Sequence, residues 1–557
     1  MDSKLPAANR FATHNVTNQP SPLAPYDAWA TDLPLQQTLV REGADWATQA
    51  VAEYGPIAGG ELMELGFAAN ENKPRFKPFD RYGHRIDEVE FHPAYHRLLE
   101  LGIAHGVPNF AWRHAATPGA HVARAALMYL HGQADQGTCC PMTMTYASVA
   151  VFQHAPELAR EWLPRITATA YDGRSVPAWQ KRGNTIGMGM TEKQGGSDVR
   201  ANTTRALPLE AGGTGGLYDL VGHKWFFSAP MCDAFLVLAQ TEAGLSCFLL
   251  PRFAPGTGSE RLRNGIRIQR LKDKLGDWSN ASAEVEFQGA LGWLVGAEGR
   301  GVATILEMVA LTRQDCMIGS AAIMRQALVQ AIHHARQRKA FGKSLSEQPL
   351  MQNVLAELAL ESEAALALAL RVARAIDASP RDASEAAFAR IATAIGKYWV
   401  CKRCPSFVNE AQECLGGAGY VEESILPRLY RQAPLNSIWE GSGNIQCLDV
   451  LRALKRQPET REALFAEFRA VHGAHPLLDA HAGRLAQDLD AAGQHEGSAR
   501  GLVEAMAVGL QAAQLLRAQD DVAAGAFCQA RLGDRVQHSY GTLPVAAPFT
   551  TLISRAF

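Results

Sequence analysis

Apolar residues recur every three or four positions along most of the chain, for example in HVARAALMYLHGQ at 121–133. Three longer stretches repeat this spacing after Gly301, the second beginning near residue 350 and the third at residue 383. Long, Ala-rich helices that are apolar on more than one side usually form a bundle, often extended by a second subunit. The hydrophobic pattern therefore predicts that most of the chain is helical.

The pattern changes between about residues 188 and 296. Short runs rich in β-branched and aromatic residues, such as AFLVLAQT and LSCFLLPRF, are separated there by Gly, Pro, Asn or Asp. GGTGG at 212–216 has the composition of a hairpin turn. This segment is therefore predicted to form a β domain.

With 557 residues the chain is too long for one simple core, and the pattern divides it into four parts. The predicted fold class is α+β, mainly α. We expect a mainly helical N-terminal domain over 1–187, a middle β domain over 188–296, a helical bundle over 297–455 and a helical C-terminal extension over 456–557.

Composition and charge narrow the class of protein. Charged residues make up 20% of the chain and the formal net charge is −2, so no global positive field attracts nucleic acid, although a local patch is compatible with that average. The N-terminal run MDSKLPAANRFATHN lacks the apolar stretch of a signal peptide, and no stretch reaches the roughly 18 apolar residues that span a bilayer. A cytoplasmic protein without membrane contact is expected.

Ten cysteines in a chain of this length do not indicate a disulfide scaffold. Cys401 and Cys404 form a lone CxxC in a helical stretch, without the second pair or the His pair that a zinc site needs. The cysteines are therefore predicted to be core thiols, and no metal site is expected.

The segment NSIWEGSGNIQ at 436–446 sets Glu440 between Trp439 and a run of small residues. A carboxylate held against an apolar wall has its charged form disfavoured, so its pKa rises and it can serve as a base. Flanking glycines let a flat ligand come close. A turn with an exposed Glu explains the same residues equally well.

Three further segments combine glycines with hydroxyl groups or cations. GMGMTEKQGGSDVRANTT at 187–204 offers two hydroxyls and unshielded backbone N–H groups, which suit a heterocycle edge or a phosphate. It is neither a dinucleotide fingerprint nor a Walker loop, which argues against the usual nucleotide folds. RQRKAFGKSL at 336–345 places cations at a helix end, and ECLGGAGYVEES at 413–424 is a helix stop before a glycine-lined turn. Taken singly, each segment also has a purely structural explanation.

In this order, the segments resemble the motifs of the acyl-CoA dehydrogenase superfamily. GMTEKQGGSDVRA is similar to its first signature, ECLGGAGYVEESILPR to its second, and RKAFG and WEGSGNIQ to its other flavin-contacting segments. REGADW at 41–46 and MTMTYA at 142–147 extend the likeness, almost end to end, to the superfamily's flavoproteins of the DNA alkylation response. The resemblance implies helices, a β domain and a helical bundle in that order, FAD as cofactor, and a homotetramer built as a dimer of dimers.

The resemblance also implies roles for individual residues. Glu440 takes the position of the catalytic base, which removes the α-proton of an acyl thioester while FAD accepts the β-hydride. Arg338 and Phe341 would grip the pyrophosphate and adenosine of a neighbouring protomer's FAD, so the bundle would carry flavin and oligomer contacts. The implied FAD contacts are Met190, Thr191, Gly196, Ser197, Phe227, Ser228, Arg338, Phe341, Gly416, Gly417, Trp439, Ser442 and Asn444.

Some residues depart from the common pattern of the superfamily. Phe226, Phe227 and Ser228 replace its Trp-Ile-Thr run, with Trp225 one position early, and Gln432 stands where an acid is usual. These departures change the side chains that are predicted to line the flavin site.

The alkylation-response resemblance also implies binding to double-stranded DNA. The extension carries nine Arg, no Lys and eleven Asp or Glu, a poor surface for phosphates. Residues 390–456 carry nine Lys or Arg against six acids. The implied DNA contacts are Arg452, Lys402, Arg403 and Lys455.

Two main functions follow from the resemblance. The first is a FAD-containing protein of the adaptive response to DNA alkylation, which binds double-stranded DNA, protects it or inactivates alkylating agents, and has at most weak, isovaleryl-type dehydrogenase activity. The alternative is a metabolic dehydrogenase of short or branched acyl-CoA that uses Glu440 as its base. A flavin-stabilised structural tetramer without turnover is a third hypothesis. Dehydrogenase activity implies an acyl-CoA as the small-molecule ligand, and the alkylation-response function implies an alkylating agent.

Overall fold

The computed structural model describes residues 12–210, 212–255, 262–492, 495–519, 521–533 and 538–557. Most of the N-terminal run in which no leader was predicted, residues 1–11, lies outside them. The described chain confirms the α+β, mainly helical fold class, with a β domain between helical regions. Among its helices, none is both long and apolar enough to cross a bilayer.

The N-terminal region is helical apart from one hairpin that the sequence did not predict. Its elements are α1 (Leu33–Arg41), α2 (Thr48–Ala58), α3 (Glu61–Glu71), β1 (Arg75–Phe79), β2 (Arg85–Glu90), α4 (Pro93–Ala104), α5 (Phe110–Arg113), α6 (Ala120–Ala134), α7 (Cys139–Phe152) and α8 (Pro156–Ile166). α6 contains the 121–133 segment, as predicted. The β1–β2 hairpin contacts the middle region, where Arg85 donates to the Ile268 carbonyl at 2.6 Å.

The middle region forms a small closed barrel. Its strands are β3 (Ile186–Gly189), β4 (Arg205–Pro208), β5 (Leu217–Ser228), β6 (Ala234–Thr241), β7 (Gly244–Pro251), β8 (Ile266–Leu271) and β9 (Ser282–Val295). β6 pairs with β4 and β7, and the pairings β4–β5, β5–β9 and β9–β7 complete the ring. GGTGG lies between the antiparallel β4 and β5, which confirms the predicted hairpin.

Long helices follow the barrel. They are α9 (Gly301–Gln337), α10 (Pro349–Ala378), α11 (Ala383–Leu415), α12 (Leu426–Gln432) and α13 (Gly443–Arg456), with the two-residue strands β10 (Lys339–Ala340) and β11 (Lys343–Ser344) after α9. α9 is largely buried because α6, α7, α10 and α11 pack around it. The helical segments predicted from residues 301, 350 and 383 are confirmed.

The C-terminal extension is a further layer of helices on α10 and α11. It contains α14 (Glu459–Arg469), α15 (Pro476–Ala492), α16 (Ala499–Arg517), α17 (Asp521–Leu532) and α18 (Phe549–Ala556). Ion pairs join it to α10: Arg531 contacts Glu357 at 2.6 Å and Glu361 at 2.9 Å, and Arg371 contacts Glu467 at 2.7 Å. Since these groups are buried or nearly so, the extension is an integral part of the fold.

All ten cysteines are buried with free thiols, which confirms that they belong to the core. In the described ranges, no group of three His, Cys, Asp or Glu side chains is arranged to hold a metal ion.

Candidate active site

Glu440 lies in the turn before α13, in a backbone conformation that non-glycine residues rarely adopt. Its φ is +57°, and strain of this kind costs on the order of 1–3 kcal/mol. The buried Lys397 of α11 donates to the carbonyls of Trp439 and Gly441, and Gln446 donates to the Glu440 carbonyl at 3.1 Å. The fold therefore holds a strained turn in place, as is common at functional sites.

The Glu440 carboxyl group faces α9. Thr312 Oγ1 donates to Glu440 Oε2 at 2.7 Å, and Arg313 Nε donates to the Glu440 carbonyl at 2.9 Å. Burial raises the pKa of Glu440, and the Thr312 hydrogen bond and the charges of Lys397 and Arg313 oppose this rise only in part. A carboxyl group with a raised pKa and one fixed donor is suited to general-base chemistry.

The residues next to Glu440 shape the same turn. Trp439 packs against the core, and its Nε1 donates to Asn436 Oδ1 at 3.0 Å. Ser442 is the N-cap residue of α13, but its side chain makes no capping bond. Asn444 Oδ1 accepts a hydrogen bond from Arg500 Nε of α16 at 2.9 Å. The sequence motif therefore meets the C-terminal extension at this point.

The glycine-rich loop after β3 is built around a buried ion pair. Glu192 contacts Lys224 Nζ at 2.8 Å and also accepts bonds from the backbone N–H groups of Thr203 and Thr204. Although burial acts to raise it, the Lys224 charge and these bonds hold the pKa of Glu192 well below its usual range. Burial lowers the pKa of Lys224 to about 8. Glu192 thus anchors the loop.

The predicted contacts of this loop lie on its outer side. A Cβ on Gly196 would come within 2.3 Å of Thr191 Oγ1, so a larger residue does not fit. The Met190 carbonyl accepts from Asn202 at 2.8 Å, and Ser197 is exposed. The loop presents a hydroxyl group and a small-residue surface to solvent, which suits a polar ligand edge.

Phe227, which the resemblance places at the flavin, has its side chain turned away from solvent in the structure. Phe227 is fully buried inside the barrel, with its ring centroid 4.1 Å from that of Phe235 and 6.1 Å from that of Phe287. Its ring also fills the space beside Gly189, where a Cβ would lie 2.7 Å from it. Phe227 therefore belongs to the core of the barrel.

Phe226 is the aromatic side chain that faces outward. The β5–β9 register shifts between Lys224 and Phe227, and this bulge leaves Phe226 51% exposed. Ser228 is partly exposed, and its hydroxyl group lies 3.0 Å from that of Ser282. A bulge breaks strand alternation, and it is Phe226, not Phe227, whose side chain is on the outer face of the barrel here.

Arg338 and Phe341 lie far from Glu440 within one chain. Thr312, which contacts Glu440, precedes Arg338 by 26 residues of helix, so at 1.5 Å per residue the two are roughly 39 Å apart. Phe341 occupies the turn between β10 and β11 at φ +51°, with its side chain 99% exposed. Within a single protomer these residues cannot join Glu440 at one site.

Gly416 and Gly417 form the turn that ends α11. Gly416 adopts φ +60°, and a Cβ built on either residue would meet no atom within 4 Å. The turn therefore has an open surface that a ligand or another subunit can approach. Lys397, which contacts the Glu440 turn, lies 19 residues before Gly416 on α11, so this surface is also remote from Glu440 in the same chain.

The cations proposed for DNA contact differ in their surroundings. Arg452 and Lys455 on α13 and Lys402 on α11 are exposed, although Arg452 has Asp449 3.8 Å away. Arg403 is partly buried, contacts Glu361 at 3.2 Å and packs over the Tyr540 ring, so part of its charge is already paired within the chain.

The groups near α13 and the glycine loop fit a flavin dinucleotide. Backbone N–H groups and hydroxyls suit the flavin edge, and the N-terminus of a 14-residue helix suits a phosphate. The sequence did not identify Thr312, Arg313 or Lys397, because they lie on helices remote in the chain and carry no local motif.

Comparison with known families defines the class of protein. Residues 187–290 match the acyl-CoA dehydrogenase middle domain, and residues 299–455 match the acyl-CoA dehydrogenase C-terminal domain. The chain therefore belongs to the acyl-CoA dehydrogenase family and is a FAD-dependent oxidoreductase of that type.

Within the family, the chain is AidB-like. Residues 18–173 match the adaptive response protein AidB N-terminal domain. The chain is 48% identical over 527 residues to the putative acyl-CoA dehydrogenase AidB of Escherichia coli K12, covering 94% of this chain and 95% of that protein. It is 31% identical to acyl-CoA dehydrogenase family member 11 of Caenorhabditis elegans over 72% of this chain and 66% of that protein. The crystal structure of Caenorhabditis elegans ACDH-11 in complex with C11-CoA matches with a TM-score of 0.85, 26% identity and 96% coverage of both chains.

Proposed function

We propose that Glu440 is the base of an acyl-thioester dehydrogenation at a flavin site. The observation that carries this proposal is the Glu440 carboxyl group, which is partly buried, has a raised pKa and is bonded by Thr312 on a strained turn. Removing a proton from carbon requires a desolvated base whose pKa lies near the operating pH. Family membership provides the matching cofactor.

In this mechanism the protein orients the carboxyl group and moves one proton. Thr312 holds Glu440 Oε2, so Oε1 is the oxygen that takes the α-proton of the thioester. Burial favours the neutral carboxyl group, so the proton is readily accepted. Trp439, beside Glu440, is partly buried against the core. The bound cofactor would supply the acceptor for the β-hydride.

The flavin contacts are proposed to come from two protomers. Met190, Thr191, Gly196, Ser197 and Ser228 would serve the flavin from one chain, with Phe226 in place of Phe227. Trp439, Ser442 and Asn444 would close the site. Because Arg338, Phe341, Gly416 and Gly417 lie far from Glu440 of their own chain, they would complete the site of a neighbour. The exposure of Phe341 supports this assembly, which is proposed to be a homotetramer built as a dimer of dimers.

The physiological role is proposed to be the adaptive response to DNA alkylation. The match to AidB along 94% of the chain supports it. The protein would bind double-stranded DNA through Arg452, Lys455 and Lys402, protect it or inactivate alkylating agents nearby, and show at most weak dehydrogenase activity on an isovaleryl-type acyl-CoA. A cytoplasmic location is proposed with this role.

A metabolic acyl-CoA dehydrogenase is the second candidate. The geometry of Glu440 favours this candidate, because burial and one hydrogen bond set the pKa of its carboxyl group. Shifted pKa values of this kind are typical of residues that take part in catalysis. A solved relative of similar fold was crystallised with C11-CoA. A short or branched acyl-CoA would be the substrate.

The test is an anaerobic titration of the purified flavoprotein with a panel of acyl-CoAs, following the visible absorbance of the flavin. If Glu440 is the base, one thioester bleaches the flavin, and Glu440→Gln slows the bleaching by about 10²–10⁴-fold. Retention of bound FAD by the variant is the control.

Bleaching that survives in Glu440→Gln would show that another group removes the proton. An unchanged spectrum across the whole panel would contradict dehydrogenation and leave the alkylation-response role to stand alone. Fast bleaching by one thioester would favour a metabolic acyl-CoA dehydrogenase over an alkylation-response protein with only weak dehydrogenase activity.

A further inference from the structure

Arg500 reaches from the C-terminal extension to the start of α13. Its Nε donates to Asn444 Oδ1 at 2.9 Å, and its Nη2 lies 3.6 Å from the position of a Cβ on Gly443. Arg500 forms no ion pair with any carboxylate of the described ranges, and Glu496 and Glu504, one turn away along the chain, are among those it does not pair with. Nε and Nη2 of Arg500 thus lie at the α13 turn without an anionic partner in the described ranges.

The position of Arg500 is electrostatically unfavourable without an anion. It lies in the first turn of α16, where a cation opposes the helix dipole and costs about 0.3–1 kcal/mol. It also faces the N-terminus of α13, whose unbonded N–H groups carry partial positive charge. Two helix N-termini and one guanidinium therefore concentrate positive charge, and a bound anion would relieve their mutual repulsion.

The surrounding structure fixes the helix that carries Arg500. Trp399 Nε1 of α11 donates to Gln511 Oε1 of α16 at 3.0 Å, and Val503 and Met506 of α16 are fully buried. Arg500 itself is exposed, so its guanidinium group is open to a ligand at the α13 turn.

We propose that Arg500 binds the diphosphate of FAD together with Ser442 and Asn444, so that the C-terminal extension forms part of the cofactor site. This inference rests on the flavin site proposed above. The diphosphate is the charged part of FAD, and arginine is the side chain best suited to grip it. The Asn444 amide, whose oxygen is held by Arg500, presents its Nδ2 to the same ligand.

The test compares the affinity of the full-length apoprotein for FAD and for riboflavin, which lacks phosphate, by the quenching of flavin fluorescence. We expect Arg500→Gln to weaken FAD binding about 10- to 100-fold, because a charge-assisted bond is lost, and to leave riboflavin binding within about twofold. Arg500→Lys should lose less. Arg484→Gln, which removes an exposed arginine of α15, is the matched control and should bind FAD like the unaltered protein.

Equal loss of FAD and riboflavin affinity, or no loss of either, would overturn the proposal. If Arg500→Gln does not fold, hydrogen exchange of the unaltered protein decides: FAD should slow exchange in the first turn of α16, and unchanged exchange there would contradict the contact. Failure of the acyl-CoA titration leaves this result unaffected, because FAD affinity does not depend on turnover. If the acyl-CoA titration supports Glu440 as the base but Arg500→Gln binds FAD like the unaltered protein, only the inference about Arg500 is contradicted.

Discussion

At the scale of single residues, the Thr312 hydroxyl group adjusts the basicity of Glu440. We expect Thr312→Val to raise the pKa of Glu440 further, since a hydrogen bond to the ionised form is lost. The acidic limb of the pH profile of flavin reduction should move to higher pH, and the rate near neutral pH should fall roughly tenfold. Stopped-flow reduction across pH measures both, and Thr312→Ser, which keeps the hydroxyl group, is the control. An unmoved profile in the Val variant would show that Thr312 does not tune the base.

The partial burial of Glu440 also has a consequence for stability. Its pKa is raised in the folded protein, so its contribution to stability is present below the ordinary carboxyl pKa and is lost as pH rises through the folded value. Glu440→Gln should therefore raise the Tm of the apoprotein at pH 8 and change it less at pH 5. Calorimetry at both pH values checks this, with the exposed Glu459→Gln as control. A lower Tm for Glu440→Gln at pH 8 would contradict the expected sign.

At the scale of elements, α13 separates two proposed functions. Its 14 residues span about 21 Å, with Ser442 and the Glu440 turn at one end and Lys455 near the other. A surface that binds DNA at the far end need not disturb the flavin. The two activities can therefore be altered independently.

This separation gives a test of the DNA surface. The slope of the logarithm of the duplex-binding constant against the logarithm of salt concentration should become shallower by about two when Arg452→Gln is combined with Lys455→Gln. Each phosphate contact contributes about 0.9 to that slope. Fluorescence anisotropy at several salt concentrations measures the slope, and the flavin spectrum should not change. Arg182→Gln with Arg484→Gln, two exposed arginines elsewhere, is the matched control. An equal slope in both double variants would rule out α13 as the DNA surface.

At the scale of the whole molecule, buried ion pairs attach the extension to the bundle. Arg531 lies between Glu357 and Glu361, and Arg403 contacts Glu361 from α11. Although burial opposes it, the charges of Arg403 and Arg531 lower the pKa of Glu361 to about 2. The stabilisation is therefore complete above the ordinary carboxyl pKa of 4.5 and is lost as pH falls toward 2.

Removing one partner should release the extension. We expect Arg531→Ala to destabilise its attachment by about 3–5 kcal/mol, because the buried Glu357 carboxylate loses its cation and Glu361 keeps only Arg403. Limited trypsin digestion should then cleave the extension from the bundle, whereas Arg484→Ala should leave it resistant. Unchanged resistance of Arg531→Ala would show that apolar packing alone holds the extension.

Most of the elements were predictable because helix and strand periodicity is local. α6, α10 and α11 carry apolar residues at helical spacing, and β6 and β7 are apolar runs bounded by turn residues. The β1–β2 hairpin was missed because its strands are short, largely exposed and rich in charge, so no apolar alternation marks them.

The sequence by itself determined the order of helices and barrel and the motifs that place the chain in its family, since both are written in neighbouring residues. The tertiary structure alone decided which side chains serve the site. Thr312 meets Glu440 across 128 residues, and Arg500 meets Asn444 across 56. Next to a bulge in β5 the Phe227 ring lies in the core, and Arg403 is partly buried in an ion pair with Glu361. Such contacts arise from packing between remote segments, which local periodicity does not encode.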